Sequence, residues 1–288
     1  MRPNLFNSAV TKFAVVLAAT SLVVSGQKIV WSTQEQPIVD SVRKLRKVPD
    51  AQRSAVTRDL ALEIRRLPLT PNKLTLATSL AGLSTEGDYG IETLQEVADT
   101  LFAAVKEQPP ADVKGEPAQY MELAQLVRYE HVKLPDDPHI QAALSKLMEI
   151  DNIRQGAEFE LPDLNGKMWD LKKLQGQVVL VNFWATWCPP CRKEMPDMEA
   201  LYQRFKPQGL VILGISDEDA AKVSTYIGTH KVEYPILLDT GRKVNDMFQI
   251  EGIPKSFLYD RSGKLVAQAI DMRTQAQFLA MLREAGLQ

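Results

Sequence analysis

Cysteine is nearly missing from this chain: 288 residues hold two, Cys188 and Cys191. That scarcity excludes a disulfide-stapled scaffold, because a bridge across so short a loop restricts the unfolded chain by only about 2 kcal/mol. It also argues against a structural zinc site, which needs four ligands; one pair of thiols exists, and the imidazole nearest to it in sequence is His230. Histidine is scarce as well, at three residues. His131 and His139 lie near Glu130, Asp136 and Asp137, but a proline-containing break separates them, so they share no helical face and read as solvated surface. No metal is expected. A charge excess is absent too: 34 basic residues against 36 acidic ones give a net charge of -2, so no polyanion and no nucleic-acid partner is expected.

What remains is ordinary globular material, 45% apolar and 24% charged, long enough for about two domains. The first residues stand apart. Arg2 and Lys12 precede an apolar run over residues 13–24, which closes with Ser25, Gly26 and Gln27. This is the grammar of an export signal, and the run is shorter than the roughly 20 residues of a membrane span. Residues 1–27 are therefore expected to be a signal peptide or an N-terminal anchor. The expected location is extracytoplasmic, periplasmic or membrane-anchored facing outside the cytoplasm, with membrane contact only through that anchor. No cysteine stands near the end of the run, so no lipid-modified N-terminus is expected.

Residues 28–152 carry apolar positions at helical intervals: Val56, Leu60, Ile64 and Leu67, then Leu76, Leu80 and Leu83, then Leu94, Val97, Leu101 and Val105. Thr70-Pro71 and Asp137-Pro138 place a capping oxygen before a proline at the first helical position. An all-helical domain of five helices is predicted, and its landmarks do not recur at the period of stacked helical hairpins. After Asp151 the texture changes to short β-rich runs with turn signals, so a second domain is predicted over residues 153–288. Residues 178–185 read as a central strand covered on both faces and lead into a helix beginning at Pro189. Further strands are predicted over 209–216, 234–238, 255–260 and 264–270, with a closing amphipathic helix that carries Phe278, Met281 and Leu282. Their alternation with helices predicts an α/β fold, a mostly parallel sheet with helices on both sides.

Both cysteines fall at that strand-to-helix junction, within Trp187-Cys188-Pro189-Pro190-Cys191. Unpaired N-H groups and the positive end of the helix dipole favour a thiolate there, which makes Cys188 the expected nucleophile. Cys191 lies one turn deeper on the helix and suits the resolving role. Trp184 reads as packing and Trp187 as the rim of a substrate-facing patch.

The run Asn182-Phe183-Trp184-Ala185-Thr186-Trp187-Cys188-Pro189-Pro190-Cys191-Arg192-Lys193-Glu194-Met195-Pro196 resembles the active-site segment of TlpA/ResA-type thiol-disulfide oxidoreductases, exported members of the thioredoxin superfamily. The resemblance extends over about residues 153–288, including Gly214-Ile215-Ser216-Asp217, Leu238-Asp239 and Gly252-Ile253-Pro254. It implies a thioredoxin-like domain with a central mixed sheet, preceded here by the helical domain. It implies that Pro254 is a cis-proline opposite the cysteines, that the backbone of Ile253 binds an extended substrate, and that Glu194 is the acid behind the thiols. Asn182 stands where cytoplasmic thioredoxins carry a buried Asp, which throws weight on Glu194. Lys255-Ser256 departs from the Thr-Thr pair frequent in the family.

The activity expected is disulfide exchange through a Cys188/Cys191 dithiol cycle, with no cofactor. Its expected partners are protein thiol or disulfide substrates and a redox partner that resets the pair. The resemblance implies a reductant, for example of apocytochrome c or a copper-site protein. Two alternatives compete. A peroxiredoxin-like peroxidase would carry Pro-x-x-x-Thr-x-x-Cys, and here the position seven before Cys188 is Val181. The other makes the helical region a docking module with the redox domain tethered to it.

Overall fold

The computed structural model describes residues 29–111 and 115–288, so the expected signal or anchor over 1–27 lies outside the described residues. Among the described residues six α-helices precede the sheet: α1 (Gln36–Lys44), α2 (Asp50–Arg66), α3 (Lys73–Ser84), α4 (Gly90–Glu107), α5 (Ala118–Tyr129) and α6 (Pro138–Gln155). That is one more than the five expected. The extra break falls at Val48-Pro49: a residue before proline is pushed out of the helical region, and Val48 is extended with ψ 134°.

The two proline signals behave differently. Asp137 caps α6 as expected, its carboxylate accepting from the N-H groups of His139 (2.9 Å) and Ile140 (3.2 Å) with Pro138 at the first position. Thr70-Pro71 does not open α3, which begins at Lys73. The start of that helix is served from afar, since Glu35 accepts from the main-chain N-H of Asn72 (3.1 Å) and from its side-chain amide (3.0 Å). The apolar spacing becomes one core that includes Ile38, Ile64, Leu80, Leu101, Leu123 and Leu147.

The sheet part opens with a hairpin of β1 (Glu160–Pro162) and β2 (Met168–Asp170). It continues through β3 (Val178–Phe183), α7 (Pro189–Phe205), β4 (Leu210–Ser216), α8 (Ala220–His230), β5 (Ile236–Leu238), α9 (Lys243–Met247), β6 (Lys255–Tyr259), β7 (Leu265–Ala269) and α10 (Gln275–Glu284). The strands are ordered β5-β4-β3-β6-β7. Every residue of β3 is buried, as a central strand requires.

The sheet is mixed, as the resemblance implies, rather than mostly parallel as the alternation of strands and helices suggests: β3-β4 and β4-β5 are parallel, whereas β3-β6 and β6-β7 are antiparallel. The hairpin accounts for the last pair. Asp260 accepts from the N-H groups of Ser262 (2.8 Å) and Lys264 (3.0 Å), and Gly263 adopts φ +81°, so the chain folds straight back.

One face of the sheet packs on α7 and α10 through Met195, Met198, Phe205, Phe278 and Leu282. The other packs Val181, Phe183, Phe248 and Phe257 around Phe159. The helical part joins this second face through Arg154 of α6. Its Nε donates to the Phe248 carbonyl at 3.1 Å, and its guanidinium lies 4.7 Å from the centre of the Phe257 ring.

Gly214 on β4 shows how tightly the α7 side is filled. A Cβ there would sit 2.8 Å from Ile236 Cδ1, 3.1 Å from Tyr234 Cε2 and 3.2 Å from Trp184 Nε1. Gly214→Ala is therefore expected to destabilise the protein by about 1–3 kcal/mol, the usual range for overpacking. Urea denaturation checks this, and an unchanged midpoint would contradict it.

Candidate active site

The buried end of β3 feeds a turn over residues 184–187 that delivers Cys188 to the start of α7. Cys188 is the N-cap residue, with φ -87° and ψ 105°, and its Sγ accepts from the N-H of Cys191 at 3.2 Å. Pro189 and Pro190 occupy first-turn positions, where a missing N-H goes unmissed by the helix. Cys188 and Cys191 are joined in a disulfide. Both are nearly enclosed, at 2% and 1% exposure, while Trp187 beside them stands 63% exposed.

The turn is held from a direction that sequence reasoning missed. Glu218, just beyond β4, accepts from the Thr186 N-H (2.5 Å) and hydroxyl (2.9 Å) and pairs with Lys222. Burial pushes its carboxyl up, but Lys222 and the two Thr186 donors outweigh that and hold it below its ordinary value. No motif marks Glu218, which reads in sequence as one acid among several.

Opposite the cysteines, the Ile253-Pro254 peptide bond is cis, as the resemblance implies. The Ile253 carbonyl oxygen lies 3.7 Å from Cys188 Sγ. The backbone next to the sulfur thus belongs to a half-buried residue at the end of an exposed loop, Glu251-Gly252.

Glu194 sits one turn beyond Cys191 and is 1% exposed. Its Oε1 accepts from Asn182 Nδ2 at 2.9 Å and its Oε2 from the main-chain N-H of Arg273 at 3.1 Å. Burial pushes its carboxyl up to about 8, against the pull of those two donors and the Arg273 charge; Asp271 adds to the rise. Asn182 Nδ2 also reaches Ser256 Oγ at 3.0 Å, which gives a role to the serine that departs from the family pattern. Ser256 stands out in the sequence only as a departure from the family pattern and Arg273 not at all, because both reach the site through the tertiary fold, from β6 and from the loop after β7.

Trp184 is buried, 5.7 Å from the Tyr226 ring, in the packing role expected of it. His139 is exposed and stacks on Tyr120 at 4.6 Å. Among the described residues, no group of three or more His, Cys, Asp or Glu is placed to hold a metal, and no helix is long and apolar enough to cross a membrane.

This geometry has relatives. The thiol-disulfide oxidoreductase ResA of Bacillus thuringiensis (strain Al Hakam) is 36% identical over 132 residues, 46% of this chain and 76% of the relative. The chain belongs to the ResA family of thiol-disulfide oxidoreductases. ResA of Bacillus subtilis (strain 168) is likewise 36% identical over 130 residues, 44% of this chain and 73% of its own. The AhpC/TSA family model matches residues 154–268. Among solved structures, a thiol:disulfide interchange protein of Chlorobium tepidum aligns with a TM-score of 0.42 at 32% identity, over 44% of this chain and 92% of that one. As a ResA-family member the chain is an enzyme of thiol-disulfide exchange on a thioredoxin-like fold, with a region of several helices ahead of the sheet.

Proposed function

We propose that this protein is an extracytoplasmic reductant of protein disulfides, with residues 1–27 as signal or anchor, 28–152 as a helical domain and 153–288 as the redox domain. The observation that carries this reading is the arrangement around one sulfur. Cys188 stands at a helix N-terminus, has the backbone carbonyl of Ile253 3.7 Å from its sulfur, and shares its helix with the buried acid Glu194.

In the reduced protein the Cys188 thiolate attacks one sulfur of a substrate disulfide. The substrate S-S bond breaks, its second sulfur leaves as a thiolate and takes a proton, and a mixed disulfide to Cys188 forms. Cys191 then attacks Cys188 Sγ, the Cys188-Cys191 bond forms, and the remaining substrate thiolate departs. Two electrons have passed to the substrate, and a redox partner returns them to the cysteine pair.

The helix N-terminus favours the Cys188 thiolate, and the Cys191 N-H at 3.2 Å supplies a donor that the two prolines do not. Cys191 must lose its proton to attack, and Glu194 serves as the relay. A carboxyl pushed up to about 8 by burial still carries its proton near neutral pH, which suits it to exchange a proton with the thiol one turn earlier on the same helix. Trp187 and the Ile253-Pro254 edge bound the groove that receives an extended segment of substrate.

The test is a reductase assay on the dithiol form. It should reduce a disulfide-bonded protein with loss of its own two thiols and no added cofactor. Consumption of hydrogen peroxide far faster than by a free thiol, without disulfide reduction, would favour a peroxidase instead.

A further inference from the structure

The helical part meets the redox site at the loop between β7 and α10 and grips it at two points. From the α3–α4 connection, Thr85 Oγ1 donates to Asp271 Oδ2 at 2.5 Å, and the Gly87 carbonyl accepts from Gln277 Nε2 at 3.4 Å. From the end of α5, Glu130 forms an ion pair with Arg273 whose side chains are only 8% and 6% exposed. Met272, between the two gripped residues, is buried. The next link is one hydrogen bond, from the Arg273 N-H to Glu194 Oε2 at 3.1 Å. A path of two links thus joins the helices to the Glu194 carboxyl, one turn beyond Cys191.

Stability alone is a weak reason for such a pair. A buried ion pair can often be replaced by apolar residues of similar volume without loss, because desolvation offsets the attraction. We propose that Glu130 is a positioning residue of the redox site that acts through charge: it neutralises part of the Arg273 charge that bears on Glu194, and so lets the helical part set the proton balance between Glu194 and Cys191. This rests on the reading of Glu194 as the proton relay.

The groups that face Glu194 fix the signs. Asn182 and Ser256 are neutral, Cys191 lies on its own helix, and the buried phenol of Tyr234 is itself pushed up by burial and by Glu194. Asp271 raises the Glu194 carboxyl, whereas Arg273 lowers it through both N-H and charge. Glu130 neutralises part of that charge. Glu130→Gln leaves Arg273 uncompensated, so Glu194 should titrate lower. The apolar double variant Glu130→Met/Arg273→Met removes the field and should make it titrate higher. Each move is expected to be roughly one pH unit, the low end for a nearby opposite charge.

The readout is carbon-13 NMR of labelled glutamate carboxyls in the full chain, with the Glu194 resonance identified by its loss in Glu194→Gln. Shifts in opposite directions support the proposal. A midpoint unchanged in both variants, or moved the same way in both, overturns it; should Glu130→Gln fail to fold, the double variant decides alone. Because titration is read without any substrate, opposite shifts in a protein that reduces no disulfide would sink the relay reading and leave the coupling standing.

Discussion

Cys188→Ser should abolish disulfide reduction, while Cys191→Ser should stall the protein as a mixed disulfide with its substrate. The asymmetry follows from position. Cys188 caps α7 with its sulfur 3.7 Å from the Ile253 carbonyl, and in the proposed cycle it makes the first attack, whereas Cys191 lies one turn along the helix. Without Cys188 there is no attack, so activity should fall to the level of a thiol-free control. Without Cys191 the first step proceeds and the second cannot, so the intermediate accumulates. Non-reducing gels and mass spectrometry of the trapped adduct read both outcomes and identify the substrate. Full activity in either variant would dismiss the two-step cycle.

The second large effect is at Glu194. Glu194→Gln keeps the shape and removes the titration, so disulfide reduction near neutral pH should fall by about 10²-fold, the lower end for loss of a general acid-base group. The pH profile of Cys191 alkylation should lose its inflection near 8, the value set by burial of the carboxyl.

Stability should change as well, with a definite sign. The folded carboxyl titrates at about 8 rather than its ordinary 4.5, so between those values the native state holds a proton that the unfolded state has released. Stability therefore falls as pH rises through that window. The glutamine variant should lack this slope, which in the native protein amounts to about 1.4 kcal/mol per pH unit within the window. Equal slopes of stability against pH in both proteins would contradict this.

How much of this could be read from the sequence depended on whether the signal was local. Cys188, Cys191 and Glu194 share one helix, so their spacing alone places them together. The buried strand before them was legible from its unbroken apolar run. Strand direction was not, because an apolar run looks the same whichever way it enters the sheet; the antiparallel entry of β6 therefore went unread. The proline rule identified the cap at Asp137 but misled at Thr70, where α3 begins only after Asn72 and takes its carboxylate from Glu35. Arg273, Ser256 and Glu218 reach the site through tertiary convergence, and Thr85 and Glu130 reach it from another part of the chain. No periodicity announces such residues.

The most direct measurement is a redox titration of the full chain. The protein is equilibrated with graded mixtures of a dithiol and its disulfide, then alkylated and weighed. A single reversible two-electron transition, in which Cys188 and Cys191 gain or lose both alkyl groups together, is the result expected. Cysteines that stay joined or stay free across the whole series, or that titrate independently of each other, would contradict the dithiol cycle.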